Sequence, residues 1–192
     1  MTIDKILERF SFRQAEIPAV VAINRQKKLD TRGSFTRLFC SNDLTHAGWS
    51  WPVAQINHSY TSIAGTVRGM HYQNPPNAEA KLVTCLRGKI WDVVVDLRVE
   101  SSTYLKWIAQ ELSAENQSAL LIPHGFAHGF QTLSDDVELL YLHSAPHIPE
   151  AELGLNPNDK ALSIAWPLPI SIISDKDSNY SMLSSQIAGK KL

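Results

Sequence analysis

The sequence runs to 192 residues, enough for one domain with a sizeable core. Its 18 basic and 19 acidic residues leave a net charge of −1 with no Lys/Arg run, which excludes nucleic acid or an anionic membrane as the main partner but not a small anion. The opening MTIDKILERF lacks an apolar signal-peptide core and no segment approaches membrane-span length, so a soluble, cytoplasmic chain is expected.

In chain order, Ile3, Ile6, Leu7 and Phe10 recur at helical spacing and predict a short amphipathic helix ahead of Pro18, within an N-terminal extension of about residues 1–17. IPAVVAINRQKKLDTRGSFTRLFC reads as two strand-like runs joined by a turn at Asp30 to Gly33, the second running from Ser34 to Cys40. SNDLTHAG reads as a short helix with Ser41 or Asn42 as N-cap and Gly48 at its C-terminal end. From Val53 onward, eight strand-like runs follow at short intervals, from VAQINHSYT to VELLYLHSA. Such spacing predicts an all-β sandwich or barrel rather than βαβ units. In KIWDVVVDL, Trp91, Val93, Val95 and Leu97 share one face; Asp92 and Asp96 share the other, expected to be solvated. From about residue 150 the chain carries Pro157, Pro167 and Pro169 and should wrap over the sheets as loops, ending in a disordered tail, SSQIAGKKL. Cys40 and Cys85, in no CxxC arrangement, are expected to be buried reduced thiols.

The chemistry centres on GTVRGMHYQ and PHGFAHGFQ. The first puts His71 in mid-strand, on the face shared by Val67, Gly69 and Gln73; the second brings His128 onto another strand, so that the two motifs are expected to face each other across one cavity. Gly65 and His71 fit the first cupin motif, and Pro123, Gly125 and His128 the second. Gln73 stands where a further histidine ligand belongs, and Glu79 is ill-spaced as a carboxylate ligand, so two ligands remain where a Zn or Fe site wants three. No catalytic metal is expected, and His71 becomes a candidate general base. A lone histidine is more often a satisfied core residue. The company of Arg68, Lys81, His128 and Tyr141 shifts that balance. Strict alternation sets Arg68 opposite His71, so both reach one ligand only if Gly69 bends or bulges the strand.

RGMHYQNPP with the following KLV, then WDVVVDLR, LSAEN, IPHGFAHGFQTLSDDVELLY, NPND, IAWP and SDKD form an ordered set from about Asp30 to Asp177. Together they resemble the dTDP-4-dehydrorhamnose 3,5-epimerase (RmlC) family. The resemblance implies one cupin jelly-roll domain, a homodimer with strand exchange, and epimerisation of a nucleotide-linked 4-keto-6-deoxyhexose at C3 and C5 without cofactor, in deoxysugar and surface-polysaccharide synthesis. By similarity His71 is the base, Asp177 its orienting partner, Tyr141 the acid and Lys81 the stabiliser of the enolate oxygen. Arg68 would bind near the sugar or diphosphate, and His128 would line the site. Arg32 and Phe35 match the family's DxRGxF element, and Gln55 and Asn57 its QxNxS element; these would hold the nucleotide, partly across the dimer. Three positions depart from the pattern: Arg37 replaces an acidic residue, and Pro146 and His147 replace a tyrosine pair. The alternatives are an epimerase of C3 alone or of another nucleotide sugar, a non-enzymatic sugar-binding cupin, and a metal-dependent cupin, with which Gln73 conflicts.

Overall fold

The computed structural model describes residues 4–183; Ile3 and the tail SSQIAGKKL lie outside the described residues. In chain order the strands are β1 (Asp4–Ile6), β2 (Phe10–Gln14), β3 (Val21–Arg25), β4 (Lys28–Asp30), β5 (Gly33–Phe35), β6 (Gln55–Thr61), β7 (Thr66–Gln73), β8 (Lys81–Arg87), β9 (Lys89–Asp96), β10 (Trp107–Ser113), β11 (Ser118–Ile122), β12 (Phe126–Thr132), β13 (Val137–His143), β14 (Glu152–Gly154) and β15 (Ile172–Ile173). Among the described residues are two four-residue α-helices, α1 (Ser41–Leu44) between β5 and β6 and α2 (Asp175–Ser178) after β15.

One sheet runs β1-β2-β3-β11-β8-β13-β6; the second runs β10-β9-β12-β7-β14, with β15 added parallel to β7. Val83, Leu120 and Leu139 of the first sheet pack against Ile90, Val94 and Phe130 of the second, giving a jelly-roll sandwich. Both outer faces are also covered. Leu44 and Trp49, from the segment around α1, pack on the outer face of the first sheet, over Phe10, Phe12, Leu82 and Leu121. Leu155, Leu162 and Leu183 from the C-terminal wrap pack on the second, over Val93 and Val95. This accounts for β11 and β12 being buried at every position.

All eight runs expected from Val53 onward form strands. Among the described residues the N-terminal helix does not form. Its residues instead make the β1-β2 hairpin, in which Ile6 faces solvent while Phe10 and Phe12, two positions apart, are both buried. Burying each phenylalanine contributes ~1.5–3 kcal/mol, whereas an isolated helix of that length is marginal. The strand expected over Ser34 to Cys40 ends at Phe35, and Cys40 is the N-cap of α1, which has no side-chain cap; Gly48 does close the following turn, at φ 92°. Cys85 is a buried free thiol, as expected, but Cys40 is only half-buried. Asp92 and Asp96 are fully buried rather than solvated: β9 turns that face into the sandwich, where Asp92 accepts from His128 through one oxygen and Asp96 accepts from Arg98, Ser101 and Thr103.

Candidate active site

At one end of the sandwich the interior turns polar around a cavity of about 420 Å³. Arg68, His71 and His128 line it from the second sheet; Gln55, Asn57, Lys81, Tyr141 and His143 line it from the first, mostly on β6 and β13. The two histidine motifs do not face each other. They are adjacent strands of one sheet, with His71 paired to His128, and the opposing wall comes from Lys81 and Tyr141.

The bulge required of Gly69 is present. His71 pairs with His128 and Arg68 with Phe130, so Gly69 and Met70 together oppose Gly129 alone. The extra residue turns Met70 outward into the packing beneath the C-terminal wrap, and Arg68 and His71 both reach the cavity. Glycine is required here: φ is +126°, and a Cβ would stand 2.4 Å from Gly129 Cα and 2.8 Å from the His128 carbonyl oxygen.

His71 Nε2–H donates to Asp177 Oδ1 at 2.6 Å, which leaves Nδ1 as the basic nitrogen. Asp177, buried on α2, accepts the Gly69 N–H through its other oxygen at 3.1 Å. Burial opposes the ionisation of Asp177, but the bonds from His71 and Gly69 outweigh it and hold the carboxyl below its ordinary range. The Tyr180 ring packs edge-on against the imidazole, at 5.9 Å between centroids. Across the cavity, burial and the nearby Asp92 charge push the Tyr141 phenol well above its ordinary value, so it stays protonated at neutral pH. Lys81 Nζ donates to the His71 carbonyl at 3.3 Å and to Glu79 Oε1 at 3.1 Å. His128 donates from Nε2 to buried Asp92 at 2.7 Å and lies 6.2 Å from the Tyr141 ring.

Arg32 and Phe35 are not part of this cavity. They sit exposed on the β4-β5 hairpin, where Arg32 is paired with Asp30. Gln73 is buried and ties down the loops after β7 and β13: its amide donates to the Asn77 and Pro146 carbonyls and its oxygen accepts the Ile148 N–H. Among the described residues, no group of three or more His, Cys, Asp or Glu is disposed to hold a metal ion.

Glu79, which the sequence offered only as an ill-spaced metal ligand, and His143 and Glu152, which it left without a role, all line the cavity. His143 had a signal, since it shares the face of Tyr141 two residues on. Glu152 had none, because only the pairing of β14 with the end of β7 brings it there, where it accepts from His147 at 2.5 Å and from Lys176.

The family model for dTDP-4-dehydrorhamnose 3,5-epimerase matches residues 14–185. The chain belongs to the dTDP-4-dehydrorhamnose 3,5-epimerase family. It is 40% identical over 178 residues to the dTDP-4-dehydrorhamnose 3,5-epimerase of Sinorhizobium fredii, spanning 92% of this chain and 91% of that one. With the enzyme of the same name from Shigella flexneri it shares 41% identity over 167 residues, 86% of this chain and 92% of the other. Among solved structures, the 3,5-epimerase of Legionella pneumophila in complex with dTDP-4-keto-L-rhamnose superposes with a TM-score of 0.87 at 33% identity, covering 91% of this chain and 93% of that one. Members of this epimerase family are isomerases.

Proposed function

We propose that this chain is a cofactor-independent epimerase, a single cupin domain that inverts C3 and C5 of a dTDP-linked 4-keto-6-deoxyhexose in the cytoplasm. A 4-keto group acidifies the C–H bonds at C3 and C5, so a base on one face and an acid on the other suffice for inversion. One observation carries the reading: His71, held by Asp177, and the protonated Tyr141 stand on opposite sheets and line the same cavity. His71 Nδ1 removes the proton, Asp177 fixes the imidazole tautomer and stabilises its cationic form, and Tyr141 returns a proton to the opposite face. Lys81 stabilises the enolate oxygen, where negative charge develops. Arg68 meets the diphosphate, and His128 borders the sugar.

The nucleotide side is completed by a second copy. β6 is an edge strand with Ile56 and Tyr60 exposed, and Leu29 and Phe35 are exposed on the β4-β5 hairpin, surfaces suited to burial in a homodimer. Arg32 and Phe35 then enter the partner's cavity beside Gln55 and Asn57.

The test is NMR in deuterated water with dTDP-4-keto-6-deoxyglucose, following loss of the C3 and C5 proton signals. Loss at both positions, abolished in His71→Ala, is expected. Loss at C3 alone marks a single-centre epimerase; no exchange by the folded protein overturns the reading.

A further inference from the structure

The β6-β13 wall carries a chain of hydrogen bonds whose direction is fixed at both ends. The His147 backbone N–H, which can only donate, meets Gln55 Oε1 at 2.9 Å. Gln55 Nε2 must therefore point at Asn57 Oδ1, and does so at 3.0 Å. That turns Asn57 Nδ2 toward His143 Nε2 at 3.3 Å, so this ring nitrogen is the acceptor and His143 is the neutral Nδ1–H tautomer. Nδ1–H then donates to Glu79 Oε2 at 2.7 Å, and a carboxylate can only accept. The other Glu79 oxygen takes the ammonium of Lys81 at 3.1 Å. Burial opposes the charge on Glu79, but His143 and Lys81 outweigh it and hold the carboxyl below its ordinary range.

We propose that Glu79 and His143 are positioning residues of this site: Glu79 anchors Lys81 with one ammonium N–H left for the ligand, and through His143 it fixes Asn57 and Gln55 as hydrogen-bond donors. The inference rests on the epimerase reading for what the ligand is. With both amide oxygens occupied inside the chain, Asn57 and Gln55 each keep one N–H for the cavity, and Lys81 keeps the third of its three. The wall therefore recognises acceptor atoms: the oxygens of a keto sugar, a diphosphate or a pyrimidine.

Replacing Glu79 by Gln breaks the polarity. Either the new amide N–H faces Lys81 as donor against donor, or it faces His143 and forces the Nε2–H tautomer, which reverses Asn57 and Gln55 and sets an NH₂ group against the His147 N–H. His143→Gln keeps a donor toward Glu79 and an acceptor toward Asn57, whereas His143→Leu keeps neither.

The experiment is long-range ¹⁵N NMR of the histidine rings in the full chain at neutral pH, with kcat and KM for dTDP-4-keto-6-deoxyglucose in the three variants. His143 is expected as the neutral Nδ1–H tautomer in the native protein and as Nε2–H in Glu79→Gln, because an amide N–H set against the Lys81 ammonium is the costlier of the two arrangements. The reversed Asn57 and Gln55 amides predict a KM raised about tenfold, and the loss of the Glu79 charge beside Lys81 a kcat lowered about tenfold, in Glu79→Gln. His143→Leu should raise KM about as much, with His143→Gln recovering most of that loss. A native His143 found as Nε2–H or as imidazolium overturns the inference, as does His143→Gln impaired as badly as His143→Leu. Should Glu79→Gln not fold, the native tautomer and the two His143 variants still decide. Absence of turnover by the native protein sinks the epimerase reading alone, because the tautomer is read without substrate.

Discussion

Gly69→Ala tests whether the β7 bulge is what assembles the site. At φ +126° an L-residue is strained, which costs ~1–3 kcal/mol. The new Cβ also meets Gly129 Cα at 2.4 Å and the His128 carbonyl at 2.8 Å. Both are backbone atoms of β12 that cannot swing aside, so β7 and β12 must separate, an overpacking cost of ~1–3 kcal/mol more. The sum of ~2–6 kcal/mol is a large part of the ~5–15 kcal/mol that stabilises an ordinary domain. Gly33→Ala is the control: φ is +130° but nothing lies within 4 Å of its Cβ, so it meets the backbone strain without the clash. In urea unfolding, at a slope of ~2 kcal/mol/M, the midpoint of Gly69→Ala should fall by ~1–3 M, and by ~0.5–1.5 M more than that of Gly33→Ala. Folded Gly69→Ala should exchange substrate protons poorly in deuterated water, because Arg68 and His71 no longer share the cavity. Equal midpoints for the two variants, or native exchange by Gly69→Ala, would refute the argument.

Asp177→Asn offers one acceptor and one donor where His71 and Gly69 both present N–H groups, so kcat should fall ~10²–10⁴-fold with KM little changed; an unaltered kcat removes Asp177 from the role of orienting His71. Tyr141→Phe should lose inversion while solvent deuterium still enters at the position His71 deprotonates, and retained inversion, read by product stereochemistry, excludes Tyr141 as the acid. Glu152 is opposed by burial but held down to about 2 by Lys176 and His147. Because its folded value is depressed, its contribution to stability is complete above the ordinary 4.5 and is lost as pH falls from there through about 2. The melting temperature of the native protein should therefore drop more steeply across that acid range than that of Glu152→Gln; parallel curves would show that Glu152 contributes nothing.

The strand framework from Gln55 to His143 was legible because its runs are separated by clear turn signals and rich in β-branched residues. The N-terminus misled because Ile3, Ile6, Leu7 and Phe10 satisfy a helical period while Phe10 and Phe12 satisfy a strand period. Pairing of β2 with β3 decides between them, and nothing local records it. The Gly69 bulge was legible as a necessity, since Arg68 and His71 could not otherwise meet. Asp92 was misassigned for the opposite reason. With both sheets covered on their outer faces, apolar residues line both sides of β9, and alternation marks two faces without saying which is the interior.

That double covering also bears on what the site can recognise. Buried charge in such a sandwich is tolerable only where it is paired, and the cavity carboxylates meet donors from other segments: Asp177 of α2 with His71, Asp92 of β9 with His128, and Glu79 ahead of β8 with Lys81. Arg68 is the exception. Among the described residues it has no carboxylate partner, and one guanidinium N–H donates to the Tyr60 carbonyl at 3.2 Å. A guanidinium left unpaired at the rim keeps its remaining donors for an anion that arrives with the ligand, and two parallel N–H groups fit a phosphate better than any single ammonium. The interior thus holds its titratable groups in internal pairs and leaves one strong positive group unanswered, which is the charge pattern expected of a site for a diphosphate-linked sugar.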